Sequence, residues 1–226
     1  MRLSMPHFVY HPPQTPYLDI LYQDEYIVVL NKPAGLLSVP GREKKHRDSL
    51  ALRILRVWPN ACVVHRLDLA TSGIIVLAMC KAAQSHIGRQ FQQKKIDKTY
   101  YARVEGVVKK DAGLIDLPIR CDWENRPRQI IDFEQGKSSQ TQWQVIRRDK
   151  QSTLVCLKPL TGRTHQLRVH MQSLGHGIIG DDFYASAFGQ QLSPDRLALH
   201  AASITLTHPN TEQRMTFNCP PPFADI

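Results

Sequence analysis

The sequence predicts a mixed α/β (α+β) fold built on a mostly antiparallel sheet flanked by helices. Three observations point there. Strand-like stretches outnumber helical ones, most of them follow one another without a helix between, and Thr141, Trp143 and Val145 alternate with glutamines as in a sheet with one solvated face. The 226 residues suffice for one generous core or two small ones, and a hydrophobic share of 42% with little low complexity marks a globular chain.

Taken in order, residues 1–16 read as an extended arm because of Pro6, Pro12, Pro13 and Pro16, leaving 17–226 as a single domain. Residues 26–30 form a strand, closed by the turn chemistry of Asn31, Lys32, Pro33 and Gly35. Asp48 or Ser49 caps a helix whose Leu50, Ile54, Leu55 and Trp58 share a face, and Pro59 stops it. An apolar run ending at Val64 and another over 73–79 read as buried strands on either side of HRLDLATSG. Ala83, Ile87 and Phe91 then fall at helical spacing. Strands follow over 100–108, 114–119, 140–146 and 153–157. A helix over 164–174 turns Leu167, Met171 and Leu174 inward and ends at Gly175, and late strands cover 203–207 and 215–217. No repeat period appears.

Charge narrows the partners. Lys and Arg number 29 against 20 acids, a formal net charge of +9 with pI near 9.5, which suits a polyanion and nucleic acid before a membrane surface. Residues 81–110 concentrate it, with eight Lys or Arg, two acids and the pair Tyr100-Tyr101, a mixture suited to unstacked bases and their phosphates. The five cysteines form no CxxC pair, which argues against a disulfide framework or zinc ribbon. The first residues carry no apolar h-region and no span, so a reducing, cytoplasmic location is expected, with no membrane contact.

No GxSxG elbow, P-loop or HExxH occurs, His165 and His170 are badly spaced for one metal, and the acids are too scattered for a two-metal site. No metal and no cofactor are therefore expected. Asp68 is the standing candidate, set between His65-Arg66 and Thr71-Ser72-Gly73. The first pair adds positive potential beside the acid, and the second group offers local donors to fix it. An Asp here also suits a turn capped by its own side chain, and the pattern alone does not separate turn from reaction centre. In the 162–171 stretch, His165, Arg168 and Gln172 share the helix face opposite Leu167, Met171 and Leu174, leaving the Arg168 fork free to grip a carboxylate. Arg120, Arg126 and Arg128 around Trp123 suit either an RNA contact or a solvated loop.

HRLDLATSG resembles the HRLDxxTSG signature of the RluA family of pseudouridine synthases. NKPAGLLSVPG (31–41), KTYYARVEG (98–106), KPLTGRTHQLRVHM (158–171) and LALHAASI (197–204) match further blocks of that family in the same order, over about residues 21–217. The resemblance implies the pseudouridine synthase fold with a central catalytic cleft, and isomerisation of specific uridines in structured RNA without a cofactor. It implies Asp68 as the catalytic aspartate, Arg168 as its arginine partner, Tyr100 as the ring stacked on the target base, and Arg66 as the arginine that fills the space of a flipped nucleotide. The S4 domain of many relatives is not expected here, since the NKP block begins at residue 31. GLLSVPGR and CDWENRPRQ are similar to the compact dual-specificity members, which implies 23S rRNA and/or a tRNA anticodon stem-loop as substrate. A monomer with no required protein partner is expected. Charge and tyrosines alone would also suit a noncatalytic RNA-binding module, which would bind in a salt-sensitive way and leave uridines unchanged.

Overall fold

The structure, a computed structural model, describes residues 9–223. It holds β1 (Ile20–Gln23), β2 (Ile27–Lys32), α1 (Leu50–Val57), β3 (Cys62–Val63), β4 (Ser72–Ala78), α2 (Lys81–Gln92) and β5 (Asp97–Glu105). There follow β6 (Ala112–Asp116), β7 (Ile119–Cys121), β8 (Gln129–Ile131), β9 (Gln140–Arg148), β10 (Ser152–Pro159), α3 (Gln166–Ser173), α4 (Ala187–Leu192), β11 (Leu199–Thr207) and β12 (Arg214–Asn218). Ten strands make one mixed sheet, ordered β1-β2-β4-β11-β5-β10-β9-β6 with β12 beside β11 and β3 beside β4. Every ladder among the described residues is antiparallel except β4–β11, which runs parallel at the middle of the sheet. That pair is a seam between two halves, one built on β1–β4 and the other on β5–β12.

Side-chain alternation sorts the core. Along β4, Ile74, Val76 and Ala78 pack with Ala83 and Ile87 of α2, while Ile75 and Leu77 pack with Leu50 and Ile54 of α1, so the two helices cover opposite faces of one strand. A third apolar cluster joins Ala102 and Val104 of β5 to Leu167 and Met171 of α3. The seam depends on Gly73: its φ is +110°, and a Cβ there would collide with the carbonyl and amide of Ala201 on β11. The glycine that ends HRLDLATSG thus lets the two halves approach.

Several local expectations need correction. Of the two cap candidates for α1, Ser49 takes the role, accepting from the Leu52 amide. Asp48 instead grips Arg53 through Nε and Nη2 at 2.9 and 2.7 Å, and Arg53 is fully buried while Leu55 is exposed. The helix expected from residue 164 begins at Gln166, because His165 has a left-handed backbone (φ 53°), and Leu174 lies exposed rather than inward. The β7–β8 hairpin, β1 and α4 are short and carry no strong periodicity, and the sequence did not announce them. Of the expected arm, residues 1–8 lie outside the described residues. Residues 9–16 carry no helix or strand, and they are tied to the start of α1: Tyr10 donates to the Asp48 carbonyl (2.7 Å), and Arg53 donates to that of Pro13 (2.8 Å).

Candidate active site

Asp68 lies in the loop between β3 and β4, and the residues on either side of it are clamped by the segment after β2. The Ser38 hydroxyl donates to the Leu67 carbonyl at 2.6 Å and accepts from the Leu67 amide at 3.1 Å. The Leu69 carbonyl accepts from the Gly35 amide (2.9 Å) and from Lys32 Nζ (3.2 Å). Lys32 is fully buried and also donates to the carbonyls of Leu36 (2.7 Å) and Pro33 (2.9 Å). Burial pulls its pKa down to about 7, against the opposing field of Asp68. The NKPAGLLS stretch is a turn as its composition predicts, and it is also the cradle of the Asp68 loop.

The backbone of Asp68 is held while its carboxylate is left open. Its carbonyl accepts from the Thr71 amide at 3.2 Å, but among the described residues no group donates a hydrogen bond to its side chain. Its nearest cation is Arg168, whose Nη1 lies 3.8 Å from Oδ2. Of the local donors expected of Thr71-Ser72-Gly73, the Thr71 amide is used on the Asp68 carbonyl, whereas the Ser72 hydroxyl faces His200 Nδ1 (2.8 Å) and accepts from Arg196 (2.9 Å). Nor does His65 add charge. Its Nε2 accepts from the Val76 amide at 2.9 Å, its ring lies against Phe91, and burial, helped by Lys98, lowers its pKa to about 3.

Arg168 sits on α3, 3% exposed, and its fork is not free as the sequence suggested. Nε and Nη2 donate to the two oxygens of buried Asp181 at 2.7 and 2.6 Å. The guanidinium also lies 5.3 and 5.1 Å from the ring centres of Phe183 and Tyr184. Burial works against its charge, but Asp181 and then Asp68 outweigh it and raise its pKa. One edge is therefore locked by Asp181 and the remaining Nη1 is aimed at Asp68. Asp181 was missed because nothing in GIIGDDFY marks it; the available signal was that a buried arginine requires a buried acid.

Tyr100 lies on β5 and packs partly against two of the apolar clusters, so the ring is both core and wall. Burial, and then the field of Asp68, hold its hydroxyl well above the usual range. Arg66 is exposed and has no ion-pair partner among the described residues. His165 is 8% exposed, and its ring is held by Tyr184. Tyr184 Oη accepts from the Gln129 amide (2.7 Å) and shares a hydrogen bond with His165 Nδ1 (2.8 Å), and burial lowers the imidazole pKa to about 4. Asp68, Tyr100, Arg168, Arg66 and His165 all line one cavity of about 340 Å³ between the two half-sheets, a volume within the range of small-ligand sites. Among the described residues no three His, Cys, Asp or Glu side chains converge as a metal site.

The sequence model of the RNA pseudouridylate synthase family matches residues 26–173 of this chain. The chain belongs to that family. The synthase is 53% identical to the dual-specificity RNA pseudouridine synthase RluA of Escherichia coli strain K12, over 95% of this chain and 98% of that one. It is 49% identical to the protein of the same name from Vibrio cholerae serotype O1, over 93% of this chain and 86% of the relative. Among solved structures, human RNA pseudouridylate synthase domain containing 1 superposes with a TM-score of 0.76 at 31% identity, covering 97% of this chain and 87% of that one. The human domain containing 4 protein follows at 0.71 and 27% identity, covering 91% and 89%. The synthase is thus an isomerase that acts on RNA, with the mixed, mostly antiparallel fold its sequence predicts.

Proposed function

We propose that Asp68 is the catalytic aspartate of this isomerase and that a single uridine, flipped out of a structured RNA, occupies the cavity in front of it. The reaction breaks the bond from ribose C1′ to uracil N1, turns the base, joins C1′ to C5, releases the C5 proton to solvent and places a proton on N1. The observation that carries the reading is the open Asp68 carboxylate facing Arg168 Nη1 at 3.8 Å across the cavity. A carboxylate that accepts no side-chain hydrogen bond among the described residues is available to attack, or to stabilise, the ribosyl or base carbon that becomes electron-poor.

The other residues hold the pieces. Tyr100 provides a ring face that keeps the detached uracil from leaving. With its hydroxyl pKa raised by burial and by Asp68, it stays protonated and serves as a platform rather than as a base. Arg168, pinned by Asp181, keeps a positive charge beside Asp68 without turning away. Arg66, exposed at the cavity wall, takes the space left in the RNA stack, which offsets part of the few kcal/mol that flipping costs.

The relatives' printed name, dual-specificity RNA pseudouridine synthase, supports two RNA classes as substrates. We assign these to 23S rRNA and a tRNA anticodon stem-loop, since a loop uridine is cheaper to extract than a paired one. The protein acts in the cytoplasm as a monomer without a required protein partner, which light scattering of the purified chain checks. Asp68→Asn is expected to abolish tritium release from 5-³H-uridine RNA while RNA affinity stays within a few-fold. Full turnover by that variant removes Asp68 from the reaction. Mapping pseudouridine in rRNA and tRNA from a strain lacking this protein, with and without its return, identifies the sites.

A further inference from the structure

A second cavity of about 810 Å³ opens beside the active site, and the two share a wall formed by Phe91, Lys98, Pro159, Thr161, Gly162 and Arg163. Four cations line the second space: Lys94, Lys98, Lys158 and Arg163. Its one acid, Asp97, is already paired with Arg214 at 2.6 Å. Lys98 stands at the junction. It is half-buried, it has no hydrogen-bond acceptor or ion pair among the described residues, and burial lowers the pKa of its ammonium. A cation withdrawn from water without a counterion is costly unless an anion completes it. Its Nζ lies beside Gly162, where a methyl group on Cα would sit 3.9 Å away, so the ammonium borders the open passage between the cavities.

Lys98 and Tyr100 are two residues apart on β5 and both line the active-site cavity, so they share one strand face. Their separation along the strand, about 7 Å, is close to the reach from a pyrimidine ring to the phosphate of its own nucleotide. We propose that Lys98 holds the phosphodiester next to the flipped uridine and that the RNA strand leaves the active site through this second, cationic groove. The proposal rests on the reading that the cavity takes a flipped uridine against Tyr100.

The test uses a tRNA anticodon stem-loop and binding measured in the Asp68→Asn background, so that turnover does not enter. Lys98→Gln is expected to weaken binding about tenfold and to reduce the salt slope of log K by about 0.7–0.9, the release of one phosphate contact. Lys98→Arg, which keeps the charge, is expected to bind within threefold of its parent. Equal losses in both variants overturn the proposal, because charge is then not what matters. A methylphosphonate at each phosphate flanking the target uridine locates the contact. One replacement weakens the lysine protein as much as Lys98→Gln does and adds nothing to Lys98→Gln; additive losses at both positions overturn the assignment. Tritium release by the unaltered chain on the same hairpin reports separately on the Asp68 reading. A hairpin that binds without release counts against that reading and leaves the phosphate result standing.

Discussion

Asp68 is short of hydrogen bonds where its neighbours are rich in them, and that contrast is the chemistry of the site. Leu67 and Leu69 are fastened through their backbones by Ser38, Gly35 and Lys32, so the side chain between them is aimed without being occupied. The residue types at Asp68, Tyr100, Arg66 and Arg168 were legible because they lie in ordered motifs. Asp181, Lys32 and the hold of Tyr184 on His165 were not, because each acts through a partner far away in the chain. Asp181→Asn gives this scale its prediction. Removing the charge leaves Arg168 buried without its principal acid, at a cost of roughly 3 kcal/mol in stability. Arg168 also loses its fixed aim, so kcat is expected to fall at least tenfold while the KM for RNA stays within about threefold. A fall in KM-linked binding alone, with kcat intact, would show that Arg168 grips RNA instead of serving Asp68.

At the scale of elements, α3 and the β4–β11 seam show what periodicity conveys and what it omits. Leu167 and Met171 lie on the apolar face as spacing predicts, but Gln166, Arg168 and His170 are buried too. Each is satisfied from outside the helix: Gln166 by Thr161 and by the Gln140 carbonyl, Arg168 by Asp181, His170 by Thr141 and the Leu117 carbonyl. A polar face reads as solvent-facing in a sequence whether water or protein covers it, which is why this burial was not foreseen. The seam was equally silent, since strand pairing between distant segments leaves no local mark. Gly73→Ala tests it. The added methyl meets the Ala201 backbone and φ of +110° disfavours any side chain. A stability loss of about 2–3 kcal/mol is expected, or roughly 5–10 °C in Tm, together with lost activity as the Asp68 loop shifts. A variant with unchanged Tm and turnover would mean that the two half-sheets are not held by this contact.

At the scale of the whole molecule, net charge pointed to the right partner but not to where the charge sits. The basic run of residues 81–110 does not form one patch: Arg103 is buried and paired with Asp149 at 2.8 Å, whereas Lys94 and Lys98 line the second groove. Three wholly or partly buried histidines shape the acid side of the pH response. Burial lowers His65 to about 3 and His165 and His200 to about 4, from an ordinary value near 6.5. As pH falls through 6.5 the unfolded chain takes up these protons and the native chain does not, so the contribution of these histidines is full above 6.5 and declines toward pH 4. Between pH 7 and pH 5 the loss is on the order of 5 kcal/mol, visible as a lower urea midpoint. A flat midpoint across that window would mean that these imidazoles are charged or solvated in the native protein.

The parallel seam also dictates when activity can arise during synthesis. Gly73 and Tyr100 both pair directly with Ala201, a residue made long after them. A nascent chain halted before Leu199 would carry HRLDLATSG, the whole of β5 and all of α3, yet it would lack the strand that sets the two walls of the cleft face to face. Uridine chemistry is thereby withheld from any translation product that stops short of β11, and it switches on only as the last long strand is threaded between two that have been waiting for it.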